Sequence, residues 1–385
     1  EQSGHITDVL YQRLKLDAAK LNQLATGIED VARLEDPVGK MLDTTLLDDG
    51  LILEKVSVPL GVLAIIFESR PDVLPQIVSL ALKSGNAVLL KGGREALHSN
   101  RAMMTVLEKL SSEFPELPTG WVRLLETREV VHELLAYPQY IDLVIPRGSN
   151  ALVQSIMKST QIPVLGHADG ICHIYVHPSY IAQPEGLQKA IDIILDAKTQ
   201  YPSACNTLET LLVDQHISQS FLPVFDEAAK RLNLALKGCL ESQKTCPHWA
   251  LATEEDWRTE YGDLTLSIKI VSSEKEAIDH INHYGSHHTD CILAWDDDVI
   301  SQFQTSVDSA GVFVNCSTRF ADGFRFGFGA EVGISTAKTH ARGPVGLEGL
   351  VIYQYRLTGS GQCVKDYVGE NAKPFLHQKP DSAKT

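Results

Sequence analysis

Val62-Leu-Ala-Ile-Ile-Phe67, a break at Pro71, the run Asp72–Lys83 and then Ala87-Val-Leu-Leu90 make up the stretch on which the fold turns. An unbroken apolar run of this length, bounded by turn residues, reads as a strand buried on both faces. Asp72–Lys83 has helical spacing, with Pro71 near its start and Gly85 just past its end, the usual asymmetry of helix termini. Ala87–Leu90 is again a short apolar strand. Strand, helix and strand in so short a span make a βαβ unit and predict a parallel sheet.

The alternation continues outward. Toward the C-terminus the pattern predicts helices over Glu95–Leu110, Arg128–Ala136, Asn150–Lys158 and Gly186–Lys198. Between them fall strands at Trp121–Leu125, Ile141–Ile145, Pro163–Leu165 and Cys172–Val176. A second series runs through Leu208–Val213, Ser220–Leu232, Leu264–Val271, Glu274–His283, Cys291–Trp295 and Gly311–Cys316. The chain is therefore α/β, with two doubly wound units, and a site is expected at the break between them, Tyr201–Asn206. Toward the N-terminus, Thr7–Arg33 reads as a helix, and Leu51–Val58 as a strand leaving the Asp49-Gly50 turn. Residues 323–349 are rich in glycine and read as a structured loop. Gly349–Leu357 alternates and suits a strand at a subunit interface, and the polar tail from Lys365 is expected to be mobile.

Composition narrows the function. The 385 residues are 44% hydrophobic, enough for two cores. Lysine plus arginine number 34 against 49 acidic residues, a net charge of −15, which argues against nucleic acid or an anionic membrane held by bulk charge. Seven cysteines with no CxxC pair point to a reducing compartment rather than a disulfide scaffold. No run reaches membrane-spanning length and no signal peptide is visible. The chain starts at Glu1 rather than Met, so a truncated or processed chain is expected.

Several residues are suited to chemistry. No Walker A motif or GxGxxG is present, so a bound dinucleotide would be held without the usual fingerprint. Cys205 lies among small residues in a loop between a helix and a strand, where it is either an activated nucleophile or a packed core thiol. Lys91-Gly-Gly-Arg94 and Pro146-Arg-Gly-Ser-Asn150 each follow a strand. The second opens a helix, so Arg147 and the helix N–H groups favour an anion there, with a simple Ser149 cap as the alternative. His280, His283, His287, His288 and Asp290 lie close in sequence. These residues read as histidines that cap a helix end or bind a substrate carboxylate, with a metal site as the alternative, and no metal is expected. Arg319 and Arg325 read as substrate-binding cations or as surface charges.

At this point the chain resembles the γ-glutamyl phosphate reductase family, which occurs alone or as the reductase part of pyrroline-5-carboxylate synthase. The resemblance is carried by Val58-Pro-Leu-Gly-Val-Leu-Ala-Ile-Ile-Phe-Glu-Ser-Arg-Pro71, Leu90-Lys-Gly-Gly93, Val144-Ile-Pro-Arg-Gly-Ser149, Gly166-His-Ala-Asp-Gly170 and Tyr201–Asn206. Tyr284-Gly-Ser-His-His-Thr-Asp290, Asn315-Cys-Ser-Thr-Arg-Phe320 and Phe328-Gly-Ala-Glu-Val-Gly-Ile-Ser335 extend it, so that it covers about Leu34 to Leu357. It implies an aldehyde-dehydrogenase-like fold: a cofactor domain over 1–200 with a return segment at 321–348, a catalytic domain over 201–320, and oligomerisation strands and tail at 45–58 and 349–385. It further implies reduction of L-glutamyl 5-phosphate to the 5-semialdehyde with NADPH, in proline biosynthesis.

By the same resemblance Cys205 is the nucleophile. Lys91 sits near the adenosine ribose and its 2′-phosphate, Arg147, Gly148 and Ser149 face the pyrophosphate, and Glu260 contacts the nicotinamide ribose. The Cys205 N–H or Asn206 would serve the oxyanion. Aldehyde dehydrogenases proper supply a side-chain amide from the loop that here reads Glu68-Ser-Arg-Pro71. Ser69 as its substitute and Arg70 on the leaving phosphate are the alternatives. His288 and Arg319 are further substrate-binding candidates. Where aldehyde dehydrogenases place the glutamate that activates water, this chain has His167. An aldehyde-oxidising dehydrogenase and a catalytically silent scaffold are the competing readings. A homo-oligomer of at least two chains is expected, in the cytoplasm, or in the mitochondrion if the chain is a fragment of the bifunctional synthase, with glutamate 5-kinase as upstream partner.

Overall fold

Val62–Phe67 is a strand buried along nearly its whole length, with parallel partners on both sides. The computed structural model describes residues 14–68, 71–166 and 169–380. Numbered in chain order, its strands begin with β1 Met41–Asp48, β2 Leu51–Pro59, β3 Val62–Phe67, β4 Ala87–Lys91, β5 Val122–Leu124 and β6 Leu143–Arg147. The last four form a parallel sheet in the order β5-β4-β3-β6. The order reverses between β3 and β6, so the loops after them, starting at Glu68 and Gly148, open on one crevice at the carboxyl ends. Leu63, Ile65, Leu90, Leu143 and Ile145 pack with Leu74 and Ile77 of the helix Val73–Lys83. A buried isoleucine such as Ile65 contributes about 1.5–3 kcal/mol. That helix stops where Gly85 takes a φ of +70°, which a side chain would resist.

The second sheet holds β7 Cys172–Val176, β8 Leu208–Asp214, β9 Ala235–Gly238, β10 Ala250–Leu251, β11 Thr265–Val271, β12 Thr289–Leu293 and β13 Gly311–Val314. Its order is β10-β9-β11-β8-β7-β12-β13, and its pairings are parallel. Here the expected division is corrected. β7 and the helix Gly186–Thr199, read as part of the first unit, belong to the second, because β7 lies between β8 and β12 with all five residues buried. Counting strands and helices along the chain cannot say which sheet a strand joins. Cys205 therefore lies inside the second unit, and the passage between sheets runs through residues 148–171.

Other expectations shift in detail. Residues 1–13 lie outside the described residues, and among those described the N-terminal helix is Ala18–Arg33, started by Asp17, whose carboxylate accepts from the Lys20 N–H. Pro163–Leu165 makes a single bridge, Val144 to Val164, instead of a strand. The glycine-rich region contains a small antiparallel pair, β14 Gly333–Ser335 and β15 Gly343–Val345. β16 Val351–Thr358 pairs antiparallel with β2, giving a separate sheet β1-β2-β16. The tail up to Gln378 is held rather than loose. Leu46 and Gln378 exchange backbone hydrogen bonds, Tyr367 Oη donates to Asp48 at 2.6 Å, and Tyr367 stacks on Phe375.

Candidate active site

The helix Gly186–Thr199 ends just before a tight loop that carries Cys205 into β8. The Tyr201 carbonyl accepts from the Ala204 N–H at 3.2 Å and from Thr207 Oγ1 at 2.7 Å, closing the loop on itself. From outside, Thr318 Oγ1 donates to the Asn206 carbonyl at 2.7 Å, and Asn206 Nδ2 donates to the Ala321 carbonyl at 2.8 Å. Asn206 is buried, so its side chain is committed to that scaffold. Cys205 is half-buried, whereas Cys172, Cys239, Cys246 and Cys291 are buried. Among the described residues the backbone N–H groups of Cys205 and Asn206 have no hydrogen-bond acceptor. A partly open thiol beside two uncommitted amides suits a nucleophile whose attack creates an oxyanion.

Behind Cys205 stands Gly170, where a Cβ would collide with the Cys205 backbone. Two residues on, Cys172 Sγ lies 3.4 Å from the Cys205 carbonyl. Burial, reinforced by Asp290, pushes the Cys172 thiol well above its usual range, so it stays protonated. The first unit meets this loop through Asn150, whose Nδ2 donates to Asp169 at 2.6 Å and lies 3.5 Å from Glu260 Oε2. Arg319 closes another side. Its Nε donates to Gln200 at 3.0 Å, and its guanidinium lies 5.8 Å from the Tyr201 ring centroid. Burial first, then Arg325, pull Arg319 below its ordinary value, while Cys205 opposes. It remains a cation at neutral pH.

At the carboxyl ends of β3 and β4 a cleft of about 870 Å³ is lined by Phe67, Lys91, Gly92, Gly93, Ser149 and Ser155, among others. Lys91 is buried there and its Nζ donates to the Gly92 carbonyl. Ser149 begins the helix Asn150–Ser159, and its N–H donates to Glu68 at 2.9 Å. A side-chain carboxylate thus occupies the helix end expected to take a phosphate. Gly148 lies against the same carboxylate. Arg147 points elsewhere, its Nη1 donating to the Glu331 carbonyl at 3.2 Å. Ser69, Arg70 and His167 lie outside the described residues.

The histidines do not converge. His280 is buried against Trp257, Tyr284 and His173, whereas His283 is exposed and bonded to Arg258. His288 is buried at the start of β12, its Nδ1 2.9 Å from Thr289 Oγ1. His173 Nδ1 meets Asp290 at 2.8 Å, and Ser309 holds the other carboxylate oxygen.

No family model matches the chain. Individual proteins do. It is 54% identical over 370 residues to the γ-glutamyl phosphate reductase of Pelotomaculum thermopropionicum, covering 96% of this chain and 83% of that protein. It is 50% identical over 387 residues to that of Methanococcoides burtonii, covering 99% and 85%. The crystal structure of the γ-glutamyl phosphate reductase of Thermotoga maritima matches with a TM-score of 0.89 at 40% identity, over 93% of this chain and 86% of that one. The chain belongs to the γ-glutamyl phosphate reductase family.

This family consists of oxidoreductases of proline biosynthesis. An acetylating aldehyde dehydrogenase of Geobacillus thermoglucosidasius has the same fold, with a TM-score of 0.61 at 16% identity over 93% of this chain and 95% of that one. Within the reductase chain, the structure brings Cys205, Asn206, Arg319 and Glu260 into one neighbourhood, with Lys91, Gly148 and Ser149 along the adjoining crevice. It adds residues with no signal of their own in the sequence motifs: Glu68 at the helix end, Gly170 behind Cys205, Asn150 at the junction, and a buried Lys198–Glu209 pair.

Two consequences are measurable. Gly170→Ala must displace the Cys205 backbone, and should cost about 1–3 kcal/mol in urea unfolding, together with altered labelling of Cys205 by iodoacetamide. Unchanged stability and labelling would show the contact to be slack. Burial, followed by His173, holds His280 down to about 2 from 6.5, so the folded chain leaves it neutral where the unfolded chain protonates it. Its share of stability is present above pH 6.5 and lost as pH falls below that. Between pH 7 and 5 the loss is about 2 kcal/mol, and His280→Phe should remove that much of the acid sensitivity.

Proposed function

We propose that this chain reduces L-glutamyl 5-phosphate to L-glutamate 5-semialdehyde and phosphate with NADPH, through a thioester on Cys205. The observation that carries the reading is the Cys205 loop: a partly open thiol beside two backbone N–H groups with no acceptor among the described residues. The thiolate attacks the acyl carbon, and the bond to the phosphate oxygen breaks. No acid is needed, because phosphate is already a good leaving group. The developing oxyanion falls to the amides of Cys205 and Asn206, and donors of this kind are each worth about 2.7–4 kcal/mol. The Asn206 side chain has no part in this, since it faces Ala321.

The residues present fit the cofactor. The cleft at Lys91 and Ser149 is large and lies at the carboxyl ends of a parallel sheet, and behind Gly92 in its wall stands the buried amide of Asn100, which has no hydrogen-bond partner among the described residues. Lys91 would serve the adenosine ribose and its 2′-phosphate, Gly148 and Ser149 the pyrophosphate once Glu68 gives way, and Glu260 the nicotinamide ribose. Arg147, turned to Glu331, would help by fixing the return segment or by swinging back. NADPH, when bound, supplies the hydride that reduces the thioester. Hydride addition leaves a hemithioacetal alkoxide on Cys205, whose collapse cleaves the C–S bond, frees the aldehyde and restores the thiolate. Arg319 supplies a cation for the acidic groups of the substrate, with Ser69, Arg70 and His288 as further substrate-binding residues.

The four-stranded unit is then the cofactor domain and the seven-stranded unit the catalytic one. The sheet β1-β2-β16, with Tyr353, Tyr355 and Leu357 exposed on β16, is the oligomerisation element of a cytoplasmic homo-oligomer. Because an acyl phosphate hydrolyses readily, glutamate 5-kinase is the upstream partner.

An aldehyde-oxidising dehydrogenase would need a base to deliver water to the thioester. Asp169, the carboxylate near that position, is tied to Asn150. The reverse reaction, from semialdehyde and NADP⁺, should therefore require added phosphate as the acyl acceptor. Equal rates with and without phosphate, yielding glutamate, would place this chain with the oxidising enzymes.

A further inference from the structure

The helix Gly186–Thr199 and β8 are the two stems of the Cys205 loop, and one ion pair joins them. Lys198 Nζ lies 2.6 Å from Glu209 Oε2, and both side chains are 0% exposed. Burial pushes the Glu209 carboxyl up to about 7 and lowers the Lys198 ammonium, so desolvation opposes both charges. Such a pair gives little net stability, since apolar residues of similar volume commonly do as well or better. A role beyond holding the fold is therefore needed to account for it.

Both partners also touch the segment that carries Glu260. Glu209 Oε1 accepts the Gly262 N–H at 3.4 Å, and Lys198 Nζ lies 5.8 Å from the Tyr261 ring centroid. Tyr261 is fixed at its far end, its hydroxyl 2.8 Å from Asp256 Oδ1 and 2.7 Å from Ser267 Oγ. One residue before it, Glu260 faces Asn150 at the junction with the cofactor cleft. The pair is thus the point at which the nucleophile loop and the Glu260 segment are tied together.

We propose that Lys198 and Glu209 are positioning residues, a buried clamp that holds the Cys205 loop in register with the cofactor segment at Glu260. The proposal rests on the thioester reading given above. It makes the distance between the attacking sulfur and the hydride donor depend on a pair that touches neither. Removal of the clamp should therefore affect cofactor binding and the chemical step together, and spare the binding of glutamyl phosphate.

The test is the double variant Lys198→Met/Glu209→Leu, which replaces the ion pair by apolar side chains of similar size. It should fold, with a melting temperature at or above that of the wild type. NADPH affinity, measured by fluorescence titration, should fall about tenfold, the effect of one lost hydrogen bond to a charged group. The kcat should fall by about the same factor or more, with KM for glutamyl phosphate little changed. Lys198→Arg, which keeps the charge, should recover most of both. Wild-type kcat and NADPH affinity in the double variant would reduce the pair to packing and overturn the proposal. A double variant that does not fold would also overturn it, because the pair would then be structural. Cys205→Ser, assayed in parallel, separates this from the mechanism: normal turnover there removes the thioester reading, whatever the clamp variants do.

Discussion

The backbone of Gly170 lies against the backbone of Cys205 with no room for a side chain between them. Much of the site follows from that contact. It fixes the segment entering β7 against the loop entering β8, at the amino ends of two neighbouring parallel strands. It also sets the chain from Asp169 to Cys172 as a floor under Cys205, with Asp169 turned to Asn150 of the first unit and Cys172 turned to the Cys205 carbonyl. The second sheet offers its amino ends and the first its carboxyl ends to the same space. The Cys205 thiol of one unit and the crevice proposed for the cofactor in the other meet across a junction a few side chains wide.

This arrangement accounts for a division of labour among the polar groups. Asn206, Thr207 and Thr318 spend their side chains on holding the loop, and the amides of Cys205 and Asn206 have no acceptor among the described residues. Arg319 is buried, so its charge acts through a medium less screening than water. Several other buried charges are paired, among them Lys198 with Glu209, Asp290 with His173 and Ser309, and Asp256 with Lys237.

The alternation from Val62 to Leu90 made the parallel sheet legible, because strands buried on both faces are written as unbroken apolar runs. Cys205 was legible as a thiol among small residues in a loop, though its chemistry became specific only through resemblance. The membership of β7 was not legible, since an apolar strand of five residues fits the middle of either sheet. Nor was the redirected Arg147, whose partner Glu331 lies far along the chain. The clamp had a signal that periodicity alone contains. Lys198 falls on the buried stripe with Ile191, Ile194 and Ala197, and Glu209 interrupts a strand that is buried throughout. A charge at an apolar position on each of two adjoining elements is the pattern of a buried pair.

The proposed thioester on Cys205 is open to direct trapping. The enzyme, supplied with glutamyl phosphate generated by glutamate 5-kinase but without NADPH, is quenched in acid and read by intact-mass and peptide mass spectrometry. The account predicts one glutamyl group on the peptide that contains Cys205, lost when NADPH is added before the quench. No adduct, an adduct on another cysteine, or an adduct that persists in Cys205→Ser would contradict it.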